Sequence, residues 1–124
     1  MNNKKLGMAF ERKMCEILSS EGYWVHFIVP DARGAQPFDI VAVRFGEALA
    51  IDCKTSSTHR FNLNQLEDNQ RMAFYRWIQC GNSEPIVAVL YQNRVYMIPY
   101  NRLVRDEVIN LKQEDYKCQI ESII

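Results

Sequence analysis

The sequence has no long apolar run, no paired cysteines and no excess charge of either sign, and each absence excludes something. No stretch of its 124 residues approaches the run of about 20 apolar residues that a membrane-spanning helix needs. Met1-Asn2-Asn3-Lys4-Lys5 is not followed by the apolar core of a signal peptide. The expectation is a cytoplasmic protein with no membrane partner. Cys15, Cys53, Cys80 and Cys118 are scattered, with no CxxC or Cys/His zinc spacing. In a reducing compartment they read as small buried hydrophobes. Fifteen Lys and Arg balance fifteen Asp and Glu, whereas a nucleic-acid binder usually carries a basic patch. The balance counts against a nucleic-acid partner unless the acids sit in a site that a bound cation neutralises. No repeat, low-complexity tract or linker is present, so residues 1–124 read as a single domain with one core.

What is present is a regular alternation of patterns. Leu6, Phe10, Met14, Ile17 and Leu18 recur at three- and four-residue spacing, which predicts a helix from Lys4 to about Ser20, stopped by Gly22. Tyr23 to Val29 is rich in β-formers and ends at Pro30-Asp31. A loop from Pro30 to Phe38 leads to a strand opened by Asp39, and Arg44-Phe45-Gly46-Glu47 turns into a second strand that ends in Asp52-Cys53-Lys54-Thr55. Ser56 to Asn62 reads as polar and mobile. A helix follows from about Asn64 to Gln79, then strands at Pro85–Tyr91 and Val95–Pro99, and a short helix over Leu103 to Ile109 capped by Asn101. The order αβββαββα implies an α/β (α+β) fold, a central mixed sheet flanked by helices.

Four polar residues stand out against this background: Glu11, Asp39, Asp52 and Lys54. A strand sends alternate side chains to opposite faces and rises roughly 3.3 Å per residue. Asp52 and Lys54 therefore share one face, about 6.6 Å apart along the strand, while Leu49, Ile51 and Cys53 fill the other. Carboxylates and a lysine crowded where apolar side chains should be buried are costly unless a cation pairs with them. The economical reading is a divalent-metal site for phosphodiester hydrolysis. Singly, each residue has a plainer account: an exposed ion pair for Asp52 and Lys54, a strand start after a turn for Asp39, a surface helix acid for Glu11.

The combination resembles the PD-(D/E)xK nuclease superfamily, with its restriction-endonuclease-like core. A helix glutamate (Glu11) precedes an Asp on one strand (Pro37-Phe38-Asp39) and an acid-x-Lys on the next (Asp52-Cys53-Lys54). Within it, the closer resemblance is to the RecU-type Holliday junction resolvases, carried by Gly7-Met8-Ala9-Phe10-Glu11, Ile51-Asp52-Cys53-Lys54-Thr55, and Phe61-Asn62-Leu63-Asn64 followed by Asn69-Gln70. The match runs in order over about residues 6 to 100. Asp52 stands where the family usually has Glu, and Asn62 and Asn69 replace its Pro and His.

The resemblance implies a metal-dependent, structure-selective DNA endonuclease, most simply a Holliday junction resolvase acting in DNA recombination and repair. It implies that Asp39 and Asp52, with Glu11 and the Cys53 backbone carbonyl, hold Mg²⁺ or Mn²⁺. Lys54 then orients water or stabilises the transition state. Two symmetric nicks imply a C2 homodimer, with an apolar strand face or the tail Ile120–Ile124 as its interface. So pared-down a resolvase suits a phage gene, and its partners would be branched or double-stranded DNA and recombination proteins. Lys4, Lys5, Arg33, His59, Arg60, Gln70 and Arg71 are the candidate DNA contacts, Gln70 alternatively positioning the attacking water. His26 reads as a core or interface histidine, and Trp24, Tyr75 and Trp77 as packing residues. Two other functions fit the same residues: a related nuclease acting on flaps, ends or linear duplex, and a non-catalytic DNA-binding or recombination-interaction module on the same fold.

Overall fold

The computed structural model describes residues 2–30 and 36–121. Helix α1 (Asn3–Ser20) starts where the Asn2 side chain accepts a hydrogen bond from the Lys5 N–H at 2.8 Å. It ends before Gly22, which adopts φ +90°, a conformation that costs glycine little. Strand β1 (Trp24–Phe27) then pairs antiparallel with β2 (Ile40–Arg44), and β2 with β3 (Glu47–Thr55). The β2–β3 turn has φ 54° at Phe45 and 76° at Gly46. Positive values at both central residues match the strand twist, as hairpins require.

After β3 come β4 (Arg60–Asn62), a 3-10 turn (Leu63–Gln65), and helix α2 (Asp68–Gln79). This excursion brings the chain back as β5 (Ile86–Tyr91), parallel to β3; parallel neighbours need such a crossover. Then follow β6 (Arg94–Pro99), α3 (Tyr100–Asp106), β7 (Val108–Asn110), a second 3-10 turn (Leu111–Gln113) and β8 (Cys118–Gln119). The main sheet has the order β1-β2-β3-β5-β6-β8, with β3–β5 as its parallel pair; β4 and β7 form a separate two-stranded sheet. The fold is mixed α+β, as expected from the sequence.

Strand alternation divides the core into two layers. Phe10, Met14 and Leu18 of α1 pack with Ile40, Ala42, Ile51, Cys53, Ala88 and Val95 on one face. On the other, Phe74 of α2, Leu103 of α3, and Phe61 and Ile109 of the small sheet pack with Ala50, Val87, Val89 and Ile98. Asp52 and Lys54 belong to the second layer, the α2 side, as the alternation predicts.

The short elements differ from the sequence reading. Part of the polar segment Ser56–Asn62 is not a mobile loop but β4, because Phe61 is fully buried and β7 supplies its hydrogen-bonding partner. The helix read from Asn64 begins only at Asp68, after the 3-10 turn. The helix read over Leu103–Ile109 ends at Asp106, since Glu107 takes φ 64°, and Val108–Asn110 become a strand. Trp24 and Tyr75, read as packing residues, are 63% and 61% exposed. His26 is exposed too, because β1 is an edge strand lying beyond the reach of α2. Ile120 is buried in the α1 layer and is not available as an interface; residues 122–124 of the expected tail lie outside the described residues. Among the described residues no helix is long and apolar enough to cross a membrane.

Candidate active site

The site forms where β2 begins and β3 runs past it. Ile40 pairs with Ile51, so the next position of the register sets Asp39 against Asp52. Asp39 is held in place by its surroundings: its N–H donates to the Ile51 carbonyl at 3.2 Å, and its Oδ2 accepts from the Cys53 N–H at 2.7 Å. Asp52 is fully buried and Asp39 is 4% exposed. Two carboxylates thus face each other in the dry centre of the sheet.

Lys54, one alternation beyond Asp52, places its Nζ 3.3 Å from Asp52 Oδ2. The contact has ion-pair distance but not hydrogen-bond geometry, and among the described residues the buried Oδ2 has no hydrogen-bond partner. The other oxygen, Oδ1, accepts from Gln70 Nε2 at 3.1 Å. Gln70 Oε1 in turn accepts from Lys54 Nζ at 3.0 Å and from the Glu67 N–H at 2.9 Å. One amide therefore ties the acid and the lysine together, and the first turn of α2 fixes the amide. Of the candidate DNA contacts Gln70 is corrected first: it is buried, and its side chain is spent on Asp52 and Lys54. The spacing Glu67-Asp-Asn-Gln70 resembles a helix capping box, and only the tertiary fold carries that cap to β3.

Electrostatics make this an acid-rich centre short of positive charge. Burial, then the neighbouring Asp39, pushes the Asp52 carboxyl well above the ordinary range, and Lys54 only partly offsets them. Glu11, half-buried on α1, is pushed up to about 7 by burial and then by Asp39, with Lys54 again opposing. Glu11 is thus near enough for both groups to act on its charge. Among the described residues no three His, Cys, Asp or Glu side chains converge on one ion position; Glu11 approaches from the α1 layer while Asp39 and Asp52 form the close pair. Burial raises the Cys53 and Cys15 thiols as well, so neither is an activated nucleophile.

The orphaned Asp52 oxygen tests whether a divalent cation suits these residues. A buried carboxylate oxygen that lacks a hydrogen bond, beside a second carboxylate and only partly offset by Lys54, carries a penalty that a cation relieves. All of the donors are hard oxygens, the type that Mg²⁺ and Mn²⁺ prefer. The N–H and C=O of one strand residue point to the same edge. Since the Cys53 N–H points at Asp39, its carbonyl is directed to that side too. The residues fit such an ion.

The remaining candidates are more scattered. Lys4 and Lys5 are exposed in the first turn of α1, a turn that borders Thr55, Ser56 and Ser57 at the end of β3 in a shared cleft of about 300 Å³. Arg60 is exposed on β4 and His59 half-buried just before it, both by the small sheet. Arg71 lies on α2 and lines a surface cleft with Asp68, Met72 and Tyr75. Arg33 lies outside the described residues.

Comparison with known proteins follows the same lines. A family model described as "Archaeal holliday junction resolvase (hjc)" matches residues 2–123. The crossover junction endodeoxyribonuclease Hjc of Methanocaldococcus jannaschii is 33% identical over 92 residues, covering 74% of this chain and 64% of that protein. The chain therefore spans a little under two thirds of that relative's length. The crystal structure of Hjc from Archaeoglobus fulgidus, a Holliday junction resolvase from an archaeal hyperthermophile, superimposes with a TM-score of 0.61 at 21% identity, covering 77% of this chain and 73% of the other. That likeness establishes a shared fold.

Proposed function

Because the chain belongs to the archaeal Holliday junction resolvase (Hjc) family, we propose that it is a metal-dependent, structure-selective DNA endonuclease that resolves four-way junctions in recombination and repair. The family within the PD-(D/E)xK superfamily is thereby corrected from RecU-type to archaeal: the match over residues 2–123 is to Hjc. The observation that carries the reading is the buried Asp39–Asp52 pair with Lys54 and Gln70 beside it. A binding surface has no use for so unfavourable a cluster, whereas phosphodiester hydrolysis does.

Asp39 and Asp52, with the Cys53 carbonyl and Glu11, would hold Mg²⁺ or Mn²⁺. When bound, such an ion acidifies water and neutralises charge on the phosphate. Everything else is done by the chain. The Cys53 N–H fixes the Asp39 carboxylate through its Oδ2. Gln70 locks the separation of Asp52 and Lys54 before substrate arrives. Lys54, 20% exposed beside the fully buried Asp52, is the group that meets the phosphate. There it orients the attacking water and stabilises the charge that builds in the transition state. Two symmetric nicks call for a C2 homodimer in the cytoplasm; Met72, Tyr75 and Ile78, exposed on α2, supply an apolar face for it.

The test is cleavage of a labelled synthetic four-way junction beside a linear duplex of the same arm sequences, with Mg²⁺ or Mn²⁺ and with Asp52→Ala protein as control. Paired nicks across the junction with the duplex spared are expected. Equal cutting of both would leave a nuclease without junction selectivity, and no cutting by folded protein would make the chain a binding module.

A further inference from the structure

The part of the sheet that α2 leaves uncovered carries an aromatic pair with no role in the chemistry above. Trp24 and His26 on β1 are both exposed, their rings 6.1 Å apart between centroids and within 8° of parallel. In the register, Trp24 lies opposite Val43 and His26 opposite Val41, while Val41 lies opposite Ala50 and Val43 opposite Ala48. Alternation puts all of these on the face that Asp39 and Asp52 share. His26 is therefore one row from Asp39, about 7 Å along the strands, and Trp24 is two rows away. The floor beside Trp24 is formed by Val43 and Ala48, small side chains that are only half-buried.

We propose that Trp24 and His26 form a stacking platform for a nucleobase laid bare at the branch point of DNA; this deepens the nuclease reading and rests on it. Within a duplex each base is covered on both faces by its neighbours. A branch point interrupts that stacking and offers a free π-face close to the phosphate to be cut. Aromatic side chains take any base in this way, whatever the sequence. Phosphate contacts position a duplex and a junction alike, so a platform on the carboxylate face adds selectivity for structure that the acids cannot supply. A second copy of the chain suits the rings less well. The open edge of β1 presents backbone groups in the plane of the sheet, whereas the rings stand out from its face, and pairing at the edge leaves them bare.

Trp24 and Trp77 are the two tryptophans of the chain, so Trp77→Phe protein reports on Trp24 alone. Its emission is followed without divalent cation as the four-way junction or the linear duplex is added. Quenching by the junction beyond any by the duplex is expected. In the otherwise unchanged protein, Trp24→Ala should lower the ratio of junction to duplex affinity about tenfold, and Trp24→Phe should retain most of it. An unchanged ratio in Trp24→Ala, or equal quenching by both DNAs, overturns the platform. A shift of Trp24→Ala to a smaller species in sedimentation overturns it too, giving the face to a second copy. Binding is read here without hydrolysis. Junction-specific quenching by a protein that cuts nothing thus overturns only the nuclease reading, and cutting with an unchanged Trp24→Ala ratio overturns only the platform.

Discussion

At the scale of the residue, the decisive fact is that Asp52 is charged chemistry at a core position. Its replacement separates function from stability. Asp52→Asn removes a buried carboxylate that burial and Asp39 both disfavour, so the metal-free protein should melt at a higher temperature, while DNA cutting falls below detection. Lys54→Ala should lower kcat about 10²- to 10³-fold, the usual loss for one preorganised donor. Gln70→Leu, which removes the amide shared by Asp52 and Lys54, should lose about 10- to 100-fold in activity or metal affinity, measured as the Mg²⁺ dependence of nicking. Glu11 sets a pH dependence. Its folded-state value of about 7 lies above the ordinary 4.5, so the folded, metal-free protein binds the extra proton. Stability from this group is greatest below about pH 4.5 and is lost as pH rises through about 7. Melts of metal-free protein should therefore rise as pH falls from 7.5 to 5.5. Mg²⁺ should raise the Tm more at the higher pH, where its ligands are ionised.

At the scale of the element, the long periodic segments were legible and the short ones were not. The stripe Leu6, Phe10, Met14, Leu18 identifies α1 because 18 residues repeat one pattern. Strand β4 has three residues and no periodicity of its own; it exists because β7 pairs with it and Phe61 fills the core beneath α2. Phe61→Ala should accordingly destabilise by about 3–5 kcal/mol in denaturant unfolding, a loss that a residue in a solvated loop would not produce. The β2–β3 turn shows the reverse case, a local sequence at odds with its conformation. Phe45 is 95% exposed and sits at φ 54°, so Phe45→Asn should stabilise by about 0.5–1 kcal/mol, relieving left-handed strain while losing only a weak contact with the Arg44 guanidinium.

At the scale of the whole molecule, the proposed function requires two copies of the active centre to make two nicks. The outer face of α2 leaves Met72 69% and Tyr75 61% exposed at a spacing of one helical turn. If this face joins two copies, Tyr75→Glu should yield a monomer in sedimentation, and its junction cuts should become unpaired single nicks. Zero net charge no longer argues against DNA. Asp39 and Asp52 are buried and Glu11 half-buried, so part of the negative total is withdrawn from the surface, leaving basic residues such as Lys4, Lys5 and Arg60 exposed.

By itself the sequence determined the two-sided sheet, the long helices, and the presence of Asp39, Asp52 and Lys54 at one strand junction. These follow from periods of 2 and 3.6, which are local and survive in a single chain. Only the tertiary structure decided that Gln70 serves the site from within the protein, that Glu11 approaches from the opposite layer, and that Trp24 and His26 lie bare on the carboxylate face. Each depends on which element covers which part of the sheet. That is settled by long-range burial, which spacing along the chain does not encode.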